Sequence, residues 1–125
     1  QLMIKIAETD ACAYLYGSGY TMTALYGGSS RTKGKEYTAE LVFDKNYTGG
    51  ISVFSFTTQS KGVSEEGLLY TLSDAVLTSD EALGVSNSFT GEAAKIRVKE
   101  GALIVMWYGN EKEALPEYRR MEREN

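Results

Sequence analysis

Histidine is absent from this 125-residue chain. Its absence removes the commonest general base, the commonest zinc ligand and every Ser-His or Cys-His nucleophile pair. Cysteine is nearly absent. Cys12 stands alone, so neither an internal disulfide nor a cysteine-rich metal cluster can form. One thiol does not decide the redox compartment, and it reads as a small core residue. Its neighbours Thr9-Asp10-Ala11 do not resemble a lipid-attachment site. No apolar run approaches the roughly 20 residues needed to span a bilayer. The apolar start, Gln1-Leu2-Met3-Ile4-Lys5-Ile6, breaks at Glu8 and Asp10, too early for a signal-peptide core. A chain opening on Gln1 is expected to be a processed or trimmed product, as a removed secretion signal would leave. Basic charge is also in short supply: 13 Lys and Arg against 17 Asp and Glu give a net charge of −4. Neither nucleic acid nor any other polyanion is an expected partner for such a surface.

The length suits a single domain over residues 1–125, large enough to bury roughly two-thirds of its unfolded surface. Apolar residues make up 42% and charged residues 24%, the usual balance of a globular protein. Tyr37-Thr38-Ala39-Glu40-Leu41-Val42-Phe43-Asp44 alternates apolar and polar residues with the period of a half-buried strand. Turn residues Asn46 and Gly49-Gly50 follow, then β-branched and aromatic residues from Ile51 to Thr58, so 37–58 is predicted to be a hairpin. Ile51 and Val53 lie on one face and Phe54 and Phe56 on the other, which requires two covered faces or a bulge near Val53. A second hairpin is predicted over 94–108. There Ala94, Ile96 and Val98 alternate with Lys95, Arg97 and Lys99, and Gly101 opens the two-faced apolar run Leu103 to Tyr108. Trp107 is the expected core anchor.

Residues 14–16 and 20–26 around Gly17-Ser18-Gly19 make a third candidate hairpin. Residues 118–122 make a last, more polar strand. Segment 64–77 fits either a capped amphipathic helix starting at Ser64 or a strand through Leu68, Tyr70 and Leu72. We read it as strand, because Gly67 would fall in the first helical turn; 78–84 allows one short helical turn. The expectation is all-β with room for one short helix: an antiparallel meander of seven or eight strands in a small barrel or sandwich.

Chemical motifs are few. Gly27 to Glu36, with Arg31, Lys33 and Lys35, looks like a phosphate loop. Its spacing is one residue too long, Glu36 replaces the hydroxyl, and a strand follows where a helix is needed. It reads as a mobile basic loop. The close carboxylate pairs Glu65-Glu66, Asp80-Glu81 and Glu111-Glu113 flank turns or caps, where acids are simply solvated. No calcium-loop pattern occurs, and no metal or other cofactor is expected. Asn46-Tyr47-Thr48 fits a glycosylation sequon in an accessible turn.

Tyrosine is the compositional oddity, nine residues in all, with Tyr14, Tyr16, Tyr20 and Tyr26 clustered. Tyrosine combines a flat apolar face with a hydroxyl at low entropy cost. The four tyrosines are therefore taken as a candidate aromatic platform, beside Arg31, Lys33 and Lys35, for a small ligand or a protein. The bland reading is strand tyrosines half in the core with their hydroxyls at the rim.

The strand 37–43, a glycine turn and the Trp-bearing strand 102–108 together resemble small bacterial extracytoplasmic β-barrel domains of lipocalin-like look, including the lysozyme-inhibitor lipoproteins. The resemblance is architectural and carries over no functional residue. The inhibitors' Ser-Gly-x-x-Tyr loop is not matched, since Ser18-Gly19 runs straight into Tyr20, and their disulfide is impossible here. The expected function is a non-enzymatic binding module placed outside the cytoplasm (periplasmic, secreted or surface-attached), recognising a protein or small molecule. Three alternatives stay open: an intracellular inhibitor of phage or mobile-element type, a lysozyme-inhibitor-like periplasmic protein, and a histidine-free enzyme working through carboxylates. Strands poor in edge-guarding residues also allow a homodimer.

Overall fold

The computed structural model describes residues 2–8, 12–29, 34–80, 86–109 and 115–123. One short helix, α1 (Leu2–Glu8), precedes ten strands. These are β1 (Tyr14–Tyr16), β2 (Tyr20–Ser29), β3 (Glu36–Phe43), β4 (Gly50–Ser55), β5 (Gln59–Glu66), β6 (Leu72–Thr78), β7 (Ser86–Ser88), β8 (Ala94–Val98), β9 (Gly101–Tyr108) and β10 (Glu117–Arg123). All pairings are antiparallel, along the path β6-β5-β8-β3-β2-β9-β4-β7, with β1 added to β2 and β10 to β3. β2 and β3 share only the pairs Gly28–Tyr37 and Ser29–Glu36. The sheet folds over at that narrow junction into two leaves, the all-β sandwich that strand spacing implies.

The core lies between the leaves. Register explains its membership: Leu25, Leu103 and Ser55 stand in one cross-strand row, and Val105 and Val53 in the next. From the opposite leaf come Ala39, Leu41 and Phe43 of β3 with Ala94, Ile96 and Val98 of β8. The inward residues of 37–43 are those its alternation marks. At one end the Phe43 ring meets Trp107 edge-on at 5.1 Å, Tyr47 at 5.0 Å and Phe89 at 5.2 Å. Trp107 is buried there, as expected of a core anchor.

β9 is apolar on both faces because both are covered. Its outward residues Ala102 and Ile104, with Ala24, pack under Met3, Ile4 and Ala7 of α1. Phe54 packs against the same cluster. Of the two explanations for the phase of 51–56, the structure therefore selects two covered faces. Helix α1 itself is not foreseen by the sequence reading. It exists because an apolar stretch too short to nucleate alone finds an apolar sheet face to bury against.

The two central hairpins are corrected. β3 pairs with β8, β10 and the end of β2, whereas β4 pairs with β9 and β7. Likewise β8 pairs with β3 and β5, and β9 with β2 and β4. Segments 37–58 and 94–108 thus arch from one leaf to the other and do not fold back on themselves. Alternation gives which residues face inward but not which strand sits alongside. Gly101 does adopt the positive φ expected of it, 103°. Its reason is the arch: a Cβ there would stand 2.7 Å from the Gln59 carbonyl oxygen and 2.8 Å from the Ser60 Cα. The hairpin β1–β2 and the polar strand β10 form as predicted, and 64–77 is strand on both sides of a turn. Part of the 78–84 turn lies outside the described residues.

The outer face of the second leaf is charged and tightly paired. Glu40, only 2% exposed, is bracketed by Arg97 at 3.1 Å and Arg119 at 3.5 Å, and Glu36 pairs with Arg123 at 3.4 Å. Two arginines laid over one carboxylate bury it without leaving its charge uncompensated.

Replacing Phe43 by Ala removes the ring on which three aromatic neighbours pack. The expected loss is about 3–5 kcal/mol, read as a lower urea midpoint in equilibrium unfolding.

Candidate functional site

Among the described residues, two places have the geometry of a site. One is a cavity of about 280 Å³ lined by Tyr20, Gly50, Ser52, Met106, Trp107 and Tyr108. Tyr20 pairs with Tyr108, and Met106 with both Met22 and Ser52. Strand alternation puts the side chains of Tyr20, Ser52, Met106 and Tyr108 on the face that α1 covers further along. The Tyr108 ring, on a residue 70% exposed, lies over Gly50, where a Cβ would come within 2.6 Å of it.

The other place is built around Asn87, on the edge strand β7. Its carboxamide accepts hydrogen bonds at Oδ1 from the Tyr70 N–H at 2.9 Å and the Ser88 N–H at 2.9 Å. Its Nδ2 donates to the Tyr70 carbonyl at 2.7 Å and to Glu65 Oε1 at 3.2 Å. A primary amide carries the donor and acceptor of a peptide unit, so Asn87 pairs with Tyr70 as another strand would. Backbone contacts continue this pseudo-strand: Leu69 N–H donates to the Ser88 carbonyl at 3.0 Å, and Leu68 bridges Phe89. Gly67 lets the chain enter it, with φ at 75° and no room for a Cβ, which would stand 2.0 Å from the Ala93 carbonyl oxygen.

The clamp holds apolar side chains out in solvent. Leu69 is 58% and Tyr70 65% exposed, two neighbouring apolar side chains presented from a hydrogen-bonded backbone. Ser86, also exposed, stands opposite Ser52 of the cavity. Beneath them Glu65, 5% exposed, shares its cross-strand row with Ile96 and Leu72. Burial raises its carboxyl above the ordinary value of 4.5, and the Asn87 hydrogen bond offsets part of that rise.

The described tyrosines and basic residues marked in the sequence are distributed over four places. Tyr14 faces inward, its ring edge-on to Trp107 at 6.3 Å, and burial raises its hydroxyl far above the ordinary range, with Cys12 beside it adding to the effect. Tyr16 stands nearby at the rim, as does Tyr47, whose hydroxyl burial pushes up to about 12. Tyr20 lines the cavity on the other face. Tyr26 packs beside the cluster under α1. Lys35 lies beyond the far end of β2, against Glu122 at 3.4 Å. A ten-residue strand separates that end from Tyr20, about 30 Å of contour. Arg31 and Lys33 lie outside the described residues. Cys12 contacts Thr23 at 3.3 Å and packs against the core. The sequence reading missed Tyr70 and Asn87. Tyr70 stands apart from the tyrosine cluster, and Asn87 gains meaning only from the strand laid against it.

A family model described as the vitamin B1-binding domain of thiamin pyrophosphokinase matches residues 38–103. Among solved structures, thiamine pyrophosphokinase from Bacillus subtilis superposes with a TM-score of 0.67 at 18% identity, covering 88% of this chain and 47% of its own. Thiamin pyrophosphokinase from Geobacillus thermodenitrificans gives 0.65 at 18% identity, covering 91% and 47%. The chain thus spans just under half the length of these two proteins. No curated protein matches its sequence. The family match overturns the expectation of a non-enzymatic, lipocalin-like binding module, because the matching domain is one described as part of an enzyme. The sequence reading could not reach this: the residues that would have signalled an enzyme are not the ones a binding domain needs. Of the two partner classes expected, the family's description names the small molecule. No helix among the described residues is long and apolar enough to cross a membrane.

Two outcomes follow from the Asn87 cluster. Asn87→Ala removes four hydrogen bonds and leaves Glu65 short of a partner, an expected loss of about 2–4 kcal/mol in chemical denaturation. Glu65 binds its proton more tightly folded than unfolded, so wild-type stability falls as pH rises from 4.5 towards its raised folded value. In Glu65→Gln that fall is expected to flatten, read from urea midpoints measured across the acid range.

Proposed function

The chain belongs to the thiamin pyrophosphokinase vitamin B1-binding domain family, and on that premise we propose that it binds thiamin at the Tyr70–Asn87 clamp, as the vitamin-binding half of a thiamin pyrophosphokinase. The observation that carries this reading is positional. The family match over 38–103 encloses the whole clamp, from Glu65 to Ser88. It leaves out Tyr20, Met106, Trp107 and Tyr108 of the cavity.

The chemistry of the clamp suits the vitamin. Thiamin joins a flat aminopyrimidine to a cationic thiazolium, and both rings seek an aromatic face. Tyr70 offers such a face from a backbone fixed by three hydrogen bonds to and beside Asn87. A fixed platform loses little freedom when it is covered, so more of the stacking energy is retained as affinity. For the assembled enzyme the proposed step is transfer of a pyrophosphoryl group from a nucleoside triphosphate onto the thiamin hydroxyl, with the nucleoside monophosphate leaving and the hydroxyl proton released; this domain presents the acceptor alcohol.

Titration calorimetry of the chain with thiamin is expected to give saturable binding with one site. Tyr70→Ala is expected to weaken it about tenfold, the scale of one lost cation–π or stacking contact. Replacing Tyr20 by Ala in the cavity is expected to leave it unchanged. Unaltered affinity in Tyr70→Ala removes the clamp as the site.

A further inference from the structure

Glu65 is a carboxyl group where the pattern of β5 and its partners calls for an apolar residue. It faces inward from a register shared with Ile96 and is buried to the same degree as Leu68. Burying a carboxyl at such a place is costly unless the group has work that an apolar side chain cannot perform. Its partner is Asn87 Nδ2, the same nitrogen that holds the Tyr70 carbonyl.

An asparagine amide has two orientations, related by exchange of its oxygen and nitrogen. Only one matches Tyr70, whose N–H needs the oxygen and whose carbonyl needs the nitrogen. The reverse orientation would set Oδ1 against both the Tyr70 carbonyl and the Glu65 oxygen, placing acceptors against acceptors. We infer that Glu65 is a positioning residue for the thiamin surface: by accepting from Asn87 Nδ2 it holds the amide in the one orientation that pairs with Tyr70, and so fixes the aromatic platform. This rests on the clamp being the vitamin site, but the positioning step is a property of the free protein. Glu65 touches no ligand in this account; it acts through Asn87.

The test compares the full chain with Glu65→Met, which keeps the length of the side chain but has no oxygen, and Glu65→Gln, which keeps one acceptor. The first measurement is amide hydrogen exchange. Tyr70 and Ser88 N–H groups both donate to Asn87 Oδ1, and Leu41 and Val105 in the core strands serve as internal controls. In Glu65→Met, exchange at Tyr70 and Ser88 is expected to quicken at least tenfold with the controls unchanged. In Glu65→Gln all four are expected to stay within about threefold of wild type. Unchanged protection at Tyr70 and Ser88 in Glu65→Met overturns the inference. Equal loss at all four sites also overturns it, because it marks a general contribution to stability. Should Glu65→Met not fold, Glu65→Leu takes its place: a selective tenfold quickening at Tyr70 and Ser88 supports the acceptor role, and unchanged protection there overturns it. The second measurement is thiamin affinity by calorimetry, expected to fall about tenfold in Glu65→Met and to be kept in Glu65→Gln. Absence of thiamin binding in the wild type removes the vitamin reading, while the exchange experiment still judges Glu65.

Discussion

The fold depends on one strand being buried on both faces. Leu103, Val105 and Trp107 of β9 pack between the leaves, and Ala102 and Ile104 pack outward. Over Ala102 to Val105 such a strand needs cover on both sides. The opposite leaf satisfies one requirement and α1 the other. Each apolar face alone would be an ordinary half-sheet; together they set the thickness of the molecule at three layers over the centre of the first leaf. Beyond α1, the same outer face carries the cavity between Tyr20 and Tyr108.

At the edge of that leaf the constraint changes from apolar burial to hydrogen bonding. β7 is three residues long and would present unpaired backbone groups to solvent. The Leu68–Tyr70 segment covers it, partly through backbone contacts and partly through the Asn87 side chain. A side chain standing in for a peptide unit lets the chain leave the sheet direction straight afterwards, which a true strand would resist. The exposed Tyr70 ring is the outcome of that freedom.

Much of the architecture can be read from local patterns. The inward set of β3, the two-faced character of β9, the β1–β2 hairpin and the polar last strand all follow from residue periodicity, a property of neighbours in the chain. Pairing is different. That β3 lies beside β8 and β9 beside β2 depends on surfaces brought together from distant segments, and no spacing within 37–58 or 94–108 encodes it. The site was less legible for a related reason. Tyr70 and Asn87 are separated by 16 residues of unrelated sequence, and neither is chemically unusual. What joins them is the geometry of one carboxamide. The tyrosine cluster was conspicuous by composition, yet alternation sends Tyr14 into the core side and Tyr20 to the opposite face. The Glu65-Glu66 doublet looked like a solvated acidic turn, and only the register with Ile96 distinguishes its buried member from its exposed neighbour.

The arching connections set the order in which the chain can acquire its shape. Three pairings join strands close in sequence: β1–β2 and β5–β6 at the margins of the sheet, and the short β2–β3 contact between the leaves. The long pairings at the centre wait for distant segments to meet, as when Tyr20 finds Tyr108 or Ala39 finds Val98. Closing such loops costs entropy before any contact repays it, which places the protein among slow folders, on the scale of milliseconds to seconds. During that interval β9 remains an unprotected apolar ribbon, the segment through which nascent copies would stick to one another.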